Sequence, residues 1–354
     1  MSPTRLYLDH AATTPLLPAA REAMADALAR WHNPSSPHAE GRAARAALEQ
    51  ARARIAAALG WQGQILFTSG ASEALTIALQ RGRAAGLRII SAVEHDALLR
   101  AAPAARRLPV GPDGIVDLTN LVAIAGEQPL VAVQHANNET GVLQPLAQVA
   151  EAVRAKGGIL LADCAQTAGK LPLPDADMIA LSAHKFGGPP GAGALLLRDW
   201  SLIEPVGGQE QGYRYGTENL PAILGMAAAL EVCEPWIDRA AALRARLEEA
   251  IAAAGGICVA AGSVRIPTIG AYRMPGVAAA AQLIEFDMAG VAVSAGSACS
   301  SGSLKPSHVL AAMGWEEPAR SEVIRVSFGP STDAADVDRF STLWARLAAR
   351  RRAA

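Results

Sequence analysis

The sequence contains few cysteines, and none of them is spaced for a disulfide framework or a structural zinc site. Cys164, Cys233, Cys258 and Cys299 are scattered through 354 residues without a C-x-x-C pair. Such cysteine usage suits a reducing compartment, so we expect a cytoplasmic protein. The seven histidines also lack metal-ligand spacing, and we therefore expect no metal site built from protein ligands.

The chain also lacks an excess of charge and long apolar runs. Its 32 basic and 33 acidic side chains give a formal net charge of −1, which offers no electrostatic reason for binding nucleic acid or an anionic membrane surface. No apolar stretch reaches the roughly 20 residues that span a bilayer, and the N-terminus lacks the basic-then-apolar plan of a signal peptide. We expect neither a membrane partner nor direct contact with nucleic acid.

Lysine is scarce as well, since only four of the 32 basic side chains are lysines. One of them, Lys185, follows an apolar run at 178–181 and precedes a glycine- and proline-rich bend at 187–191. Arginine cannot replace lysine in Schiff-base chemistry, because its guanidinium stays protonated whereas a desolvated amine can be neutral. Lys185 is therefore a candidate for attaching an aldehyde cofactor, although a surface lysine in a turn fits the same local sequence.

Short apolar runs alternate with alanine-rich helical patterns through the first two thirds of the chain. This alternation is typical of an open, largely parallel α/β sheet that is covered on both faces. From residue 234 onward the pattern changes, which predicts a second, smaller α+β domain. The predicted strands of the sheet are 65–67, 88–91, 130–133, 159–162, 178–181 and 193–197, with helices at 72–80 and 145–156; the smaller domain has helices at 237–254 and 333–351 and strands at 266–272, 291–294 and 323–328.

The chemically suggestive residues follow the carboxyl ends of the predicted strands, where open α/β sheets bind ligands. Ser72 lies in a run of small residues whose free helix-start N–H groups suit phosphate, or which merely cap the helix. The Asp163 carboxylate would either cap the next turn or keep a pyridine nitrogen protonated. His95 would stack on a planar ring, act in acid–base chemistry or fill the core. An unusually polar segment, 134–139, follows the strand at 130–133.

Taken together, these segments resemble the NifS/IscS-like cysteine desulfurases, a branch of the class V pyridoxal-phosphate-dependent aminotransferase family. The resemblance implies fold type I of the pyridoxal-phosphate-dependent transferases. It also implies a large cofactor-binding domain at 15–235, and a small domain at 1–14 and 236–354 that carries a catalytic cysteine loop. The motifs that carry the resemblance are YLDHAATTP at 7–15, NPSS at 33–36, TSGASEA at 68–74, EH at 94–95, NNETG at 137–141, DCAQ at 163–166, SAHK at 182–185, GGQE at 207–210, GTEN at 216–219 and SAC at 297–299.

The resemblance assigns residues to the ring of pyridoxal phosphate. Lys185 would attach the cofactor and later move the substrate α-proton, and Asp163 would pair with the pyridine nitrogen. His95 would stack on the ring and take part in catalysis. Gln166 would contact the ring oxygen, and Asn138 would contact either that oxygen or the substrate carboxylate.

The resemblance further assigns residues to the cofactor phosphate and to the substrate carboxylate. Arg325, with Asn33 nearby, would bind the carboxylate, because a planar guanidinium forms two parallel hydrogen bonds to it. A surface position for Arg325 fits poorly with its apolar neighbours in sequence. The phosphate would be held by Ala71, Ser72, Ser182 and His184, and by Thr217 from the second subunit of a homodimer.

Cys299 decides which reaction the resemblance implies. It lies among Ser, Gly and Ala residues that offer little to pack against, whereas the other three cysteines fit the role of small core hydrophobes. A thiolate at Cys299 would take sulfur from L-cysteine as a persulfide, leave L-alanine, and pass the sulfur to an iron–sulfur scaffold or a thiolation protein. Two alternatives remain: another pyridoxal-phosphate enzyme of the same fold, such as a class V aminotransferase or a selenocysteine or cysteine lyase, and a non-catalytic partner-binding paralogue.

Overall fold

The computed structural model describes residues 5–30, 32–232, 236–296 and 306–352. Its strands are β1 (Leu6–Tyr7), β2 (Gln64–Thr68), β3 (Arg88–Ser91), β4 (Arg106–Leu108), β5 (Leu130–Gln134), β6 (Ile159–Asp163), β7 (Met178–Ser182), β8 (Gly193–Leu197), β9 (Ile257–Cys258), β10 (Ile269–Arg273), β11 (Val291–Ala292) and β12 (Val323–Ser327). Its helices are α1 (Pro18–Ala29), α2 (Ala39–Leu59), α3 (Ala71–Arg81), α4 (Asp96–Ala101), α5 (Leu118–Ile124), α6 (Leu146–Arg154), α7 (Leu220–Glu231), α8 (Ile237–Ala253), α9 (Ala279–Met288), α10 (His308–Ala312) and α11 (Ala334–Arg352).

A seven-stranded sheet in the order β2-β8-β7-β6-β5-β3-β4 forms the centre of the larger part of the molecule. The neighbours from β7 through β4 run parallel, and β8 runs antiparallel to both β7 and β2. The predicted, largely parallel α/β sheet is therefore confirmed. The edge strand β4 was not predicted, because its Arg106 and Arg107 are exposed and show no apolar periodicity. Charged side chains of this kind protect a sheet edge from pairing with another chain.

Both faces of the sheet are covered, as parallel sheets require. Because successive side chains of a strand point to opposite faces, Val131 and Leu160 pack into one core with residues of α2, α6 and α7. Ala132 and Leu161 pack into a second core on the other face, mainly with α3. The middle strands are thus buried along their whole length, and their polar residues lie at the ends.

The C-terminal part contains an antiparallel sheet in the order β12-β10-β9 and a parallel pair of β1 with β11. Its core packs α8, α9 and α11 around aromatic side chains such as Trp344 and Phe286. The predicted strand at 266–272 starts only at Ile269, because Pro267 has no N–H to donate to a ladder. An isolated bridge between Asp9 and Ser327 joins the N-terminal segment to β12.

Candidate active site

A cavity of about 420 Å³ lies at the carboxyl ends of the parallel strands. Open α/β sheets bind ligands at this edge, where the loops after several strands converge. Cys299 lies outside the described residues, and neither Asn33 nor Thr217 is among the residues that line the cavity of this one chain. The predicted site residues that do line it are Ala71, Ser72, His95, Asn138, Asp163, Gln166, Ser182, His184, Lys185 and Arg325.

Lys185 is presented by a short turn, Ala183–Lys185, that follows β7 directly. Its Nζ donates hydrogen bonds to the carbonyl oxygens of Ala11 (2.7 Å) and Ala12 (2.8 Å). Burial, followed by the positive charges of Arg325 and Lys170, lowers the pKa of the amine to about 7. The amine is therefore substantially neutral at neutral pH, and a neutral amine is the form that attacks an aldehyde.

Asp163 ends β6 and lines the same cavity. One carboxylate oxygen accepts a hydrogen bond from the Ala165 N–H (2.9 Å), so the turn-capping role weighed from the sequence is real. Burial raises the pKa of the carboxyl to about 6, against the opposing effects of the Ala165 N–H and the charge of Lys185. Because the turn uses only one oxygen in this contact, capping does not prevent Asp163 from binding a ligand.

Gln166 lies close to the same backbone carbonyl as Lys185. Its Nε2 donates to the Ala11 carbonyl (3.0 Å), while its Oε1 is buried and has no hydrogen-bond partner among the described residues. A buried polar atom without a partner costs free energy. This amide is therefore free to bind a polar group of a ligand in the cavity.

His95 is the N-cap of α4, and its Nδ1 accepts a hydrogen bond from the Ala97 N–H (3.2 Å). The ring proton consequently lies on Nε2. Burial, and next the charge of Lys185, lower the pKa of the imidazole to about 4. His95 thus offers a neutral ring face and one N–H donor to the cavity, and its Nδ1 lone pair is already used.

One end of the cavity has the features of an anion site. Gly70 precedes α3 with a φ of 153°, a conformation that side-chain-bearing residues rarely adopt, and a Cβ there would lie 3.3 Å from the Ser182 hydroxyl. The first backbone N–H groups of a helix lack intrahelical partners, and the N-terminus of the helix dipole favours anions. Together with the Ser72 and Ser182 hydroxyls, these N–H groups can bind a phosphate.

His184 lies beside this anion site and also lines the cavity. Its Nδ1 is 3.2 Å from the Thr13 hydroxyl. Burial, followed by the charges of Lys185 and Lys170, lowers the pKa of His184 to about 4. The neutral ring can donate or accept one hydrogen bond, depending on its tautomer.

Arg325 lies in β12, in the C-terminal part of the molecule. Its side chain lines the cavity, and only 5% of the residue's surface is exposed. Its Nη2 donates to Asp9 Oδ1 (2.7 Å) and its Nη1 to the Asn138 carbonyl (2.9 Å). Its Nε is buried without a hydrogen-bond partner in the described part of the chain. The sequence-based expectation that Arg325 is not a surface residue is borne out by this burial, and donor capacity remains for a carboxylate.

The polar segment after β5 divides into supporting and cavity-facing residues. The Asn137 amide donates to the Val93 carbonyl (3.0 Å) and its oxygen accepts from the N–H groups of Glu139 (2.9 Å) and Thr140 (2.8 Å). These bonds fix the turn that presents Asn138 and Glu139 to the cavity.

Two residues that line the cavity, Glu139 and His308, were not predicted as site residues. Glu139 belongs to the polar segment noted in the sequence, but its neighbours Asn137 and Asn138 looked equally suitable. His308 opens α10 and has no motif that distinguishes it from a helix-capping or surface histidine. Only the folded chain brings these two residues to the same cavity.

The two described cysteines differ in burial, but burial raises the pKa of both thiols. Cys164 is fully buried, and burial raises the pKa of its thiol well above the usual range. Burial also raises the pKa of Cys258 to about 11, although Arg265 contacts its sulfur at 2.9 Å. Cys233 lies outside the described residues. Within the described ranges, no group of three or more His, Cys, Asp or Glu side chains is arranged to hold a metal ion.

Comparison with known proteins assigns the chain to a family. The model of the family described as Aminotransferase class-V matches residues 6–340. The chain belongs to the class V aminotransferase family. A cysteine desulfurase from Cereibacter sphaeroides is 37% identical over 361 residues, which cover 95% of this chain and 93% of the relative. Enzymes of this family depend on pyridoxal phosphate, and so does this one.

Solved structures agree with this class V assignment. A NifS-like protein from Rickettsia africae superposes with a TM-score of 0.88 at 31% identity, covering 97% of this chain and 99% of its own. The structure named SspA in complex with cysteine has a TM-score of 0.80 at 29% identity, covering 93% of this chain and 100% of its own. The pyridoxal-phosphate fold type I expected from the sequence is therefore confirmed.

Proposed function

We propose that this class V enzyme is a cysteine desulfurase, which converts L-cysteine to L-alanine and transfers the sulfur as a persulfide. The observation that carries the proposal is the presence, in one cavity, of a lysine amine with a lowered pKa and a buried arginine with a donor to spare. The amine suits attachment of the cofactor, and the guanidinium suits the α-carboxylate of an amino acid. Relatives named cysteine desulfurase support the same activity.

The residues of the cavity fit pyridoxal phosphate. The N–H groups at the start of α3, with Ser72, Ser182 and His184, would hold its phosphate. The Nε2 of Gln166 has a second N–H besides the one given to the Ala11 carbonyl, and this N–H would donate to the ring oxygen. Asp163 would hold a proton on the ring nitrogen, and the His95 ring face would stack on the ring. When bound, the cofactor supplies an electron-withdrawing ring that stabilises negative charge at the substrate α-carbon.

Substrate binding and proton transfer are assigned to side chains of the protein itself. Arg325 binds the substrate carboxylate, with Asn138 beside it, and so directs the α-carbon towards Lys185. Lys185 would remove the α-proton, because an amine with a pKa of about 7 is both a competent base and a competent acid at neutral pH. His95 donates a hydrogen bond through Nε2 and contributes little as a base.

Cys299 is proposed as the sulfur acceptor. Ser294, five residues earlier in the sequence, pairs with Arg325 through both backbone hydrogen bonds, at 2.7 Å and 3.2 Å. Five residues of extended chain span at most about 18 Å, so the covalent chain limits how far Cys299 can lie from Ser294. Its sequence neighbours are Ser, Gly and Ala, whereas Cys164 is fully buried and burial raises the pKa of its thiol.

The activity is tested by adding L-cysteine to the purified, cofactor-loaded protein and measuring alanine and reducible sulfur. We expect both products in equal amounts when a thiol reductant is present. L-alanine should bind without yielding sulfur, which serves as the control. Formation of pyruvate instead of alanine would indicate a lyase, and amino transfer to a keto acid would indicate an aminotransferase; either result would contradict the proposal.

The enzyme is further proposed to be a homodimer in which Thr217 binds the cofactor phosphate of the other subunit. Thr217 is exposed, lies outside the cavity of its own chain, and follows Tyr215, whose surface is 73% exposed. Sedimentation should show a dimer at micromolar concentration, and Thr217→Ala should weaken cofactor retention without splitting the dimer. A fully active monomer would rule out a ligand from a second subunit.

The setting of the reaction is proposed on more general grounds. We place the large domain at 15–235 and the small domain at 1–14 with 236–354, supported by the pairing of β1 with β11. Asn33 is proposed to assist Arg325, although in this chain its side chain accepts from the Ser35 N–H (2.8 Å) outside the cavity.

No helix in the described ranges is both long and apolar enough to cross a membrane. We propose a cytoplasmic enzyme whose acceptor is an iron–sulfur scaffold or a thiolation protein.

A further inference from the structure

A buried hydrogen bond joins two parts of the chain that are 168 residues apart. The Ser307 hydroxyl donates to Glu139 Oε2 at 2.5 Å. Ser307 is 2% exposed and Glu139 is 5% exposed, and Glu139 lines the active-site cavity. A buried carboxylate that keeps its charge needs partners, and among the described residues Glu139 Oε2 accepts a hydrogen bond from the Ser307 hydroxyl, which comes from a different part of the fold.

The Ser307 hydroxyl is held in a fixed orientation. Its oxygen accepts a hydrogen bond from the Leu310 N–H (3.0 Å) as the N-cap of α10, while its proton goes to Glu139. The next residue, His308, makes a second tie, since its Nε2 lies 2.9 Å from the carbonyl oxygen of Glu94, directly before His95. The start of α10 is thus attached to two walls of the cavity.

The hydrogen bond between Ser307 and Glu139 lies close in sequence to Cys299. Ser307 is eight residues beyond Cys299, and Ser294 is five residues before it. Ser294 pairs with the backbone of Arg325, and Ser307 bonds to Glu139. The stretch of chain that carries Cys299 is therefore anchored at both ends to residues that line the cavity.

We propose that Glu139 is a positioning residue for sulfur transfer, which acts by fixing the Ser307 end of the Cys299-bearing stretch to the active-site wall. The proposal rests on the desulfurase function and on Cys299 as its acceptor. Burial raises the pKa of Glu139, whereas the Ser307 hydroxyl, His308 and Arg325 favour its ionised form. These three groups oppose the effect of burial, and Ser307 does so through the hydrogen bond that Glu139 Oε2 accepts.

The step that depends on this positioning balances without an outside reactant. An S–S bond forms between Cys299 and the substrate sulfur, and the substrate Cβ–S bond breaks with its electron pair left on the carbon side. The proton released by the Cys299 thiol ends on Cβ, which becomes the methyl group of alanine. This attack needs the Cys299 sulfur in line with the substrate Cβ–S bond. A displacement of the attacking sulfur by about 1 Å therefore costs on the order of 100-fold in rate.

The test separates substrate binding from sulfur transfer in single turnovers. Cofactor-loaded Glu139→Ala should bind L-cysteine within about twofold of the wild-type affinity, followed through the visible absorbance of the cofactor. Persulfide formation on the Cys299 peptide, followed by quenching and mass spectrometry, should be about 10- to 100-fold slower. Glu139→Gln keeps an acceptor oxygen for Ser307 and should restore the rate to within a few-fold of wild type.

Ser307→Ala provides a second route should Glu139→Ala fold poorly. It should slow persulfide formation to a similar extent, Ser307→Thr should not, and the double variant should be no slower than the worse single variant, because both remove one interaction. Ser263→Ala is the matched control, since its hydroxyl also joins distant segments, donating to the Asp113 carbonyl at 2.8 Å, but does not line the cavity.

Three results would overturn the proposal. The first is a wild-type rate in Glu139→Ala, and the second is a loss of L-cysteine affinity as large as the loss of rate, which would make Glu139 a substrate ligand. The third is a Ser263→Ala rate as low as that of Ser307→Ala, which would indicate general destabilisation. If the wild-type protein itself forms neither alanine nor persulfide, the desulfurase function fails, and this result is distinguishable because it precedes any variant.

Discussion

Replacing Cys299 with alanine should reduce the conversion of L-cysteine to alanine by roughly 1000-fold or more, the order of loss expected when an enzyme loses its nucleophile. The cofactor should remain bound, because Lys185, Asp163 and Gln166, which line the cavity, are unchanged in this variant. The variant should therefore still change its visible spectrum when L-cysteine is added. Binding without turnover is the signature that separates an absent sulfur acceptor from a damaged cofactor site.

The wild-type protein supplies the complementary measurement. After treatment with L-cysteine, mass spectrometry should find one additional sulfur on the Cys299 peptide, and a thiol reductant should remove it. Cys164 and Cys258 are the internal controls, since burial raises the pKa of both thiols and leaves little thiolate. Full turnover by Cys299→Ala, or sulfur accumulating on Cys164 or Cys258 instead, would contradict the persulfide route.

Much of this active site could be predicted from the sequence because its residues follow directly after apolar strands. Asp163 ends the apolar strand β6 and Lys185 lies three residues beyond β7, and parallel strands bring their carboxyl ends to one edge. Arg325 was predictable for a related reason, since a charge within an apolar strand must face a partner. The structure supplies that partner as Asp9.

The remainder depends on contacts that no local pattern encodes. Lys185 bonds to the carbonyls of Ala11 and Ala12, and backbone oxygens leave no mark in the sequence. Ser307 and Glu139 meet only because the C-terminal part folds back over the sheet. The tautomer of His95 depends on one N–H of its own helix, so the sequence alone left its role open between stacking and acid–base chemistry.

Lys185→Arg should abolish covalent attachment of pyridoxal phosphate, and the wild-type protein should attach it with a pH dependence that reports the lowered pKa. Burial and the neighbouring cations lower the pKa of this amine from 10.5 to about 7, so at pH 7 it has on the order of 1000-fold more neutral amine than an ordinary lysine. Since only the neutral form attacks the aldehyde, the attachment rate of cofactor-free protein should rise about tenfold per pH unit below 7 and level off above it.

Borohydride should then fix the cofactor on the Lys185 peptide, with Lys156 and Lys170 as controls on the same chain. Arginine keeps the positive charge and the length of the side chain, so a loss of attachment in Lys185→Arg isolates the need for a neutral amine from the need for a cation. Asp163, with a pKa raised to about 6, titrates within the rising part of this profile below pH 7 and should not affect the plateau above it. Reduced cofactor found on another lysine, or an attachment rate that still rises steeply between pH 8 and 10, would show that Lys185 is not the attachment site or that its environment does not lower its pKa.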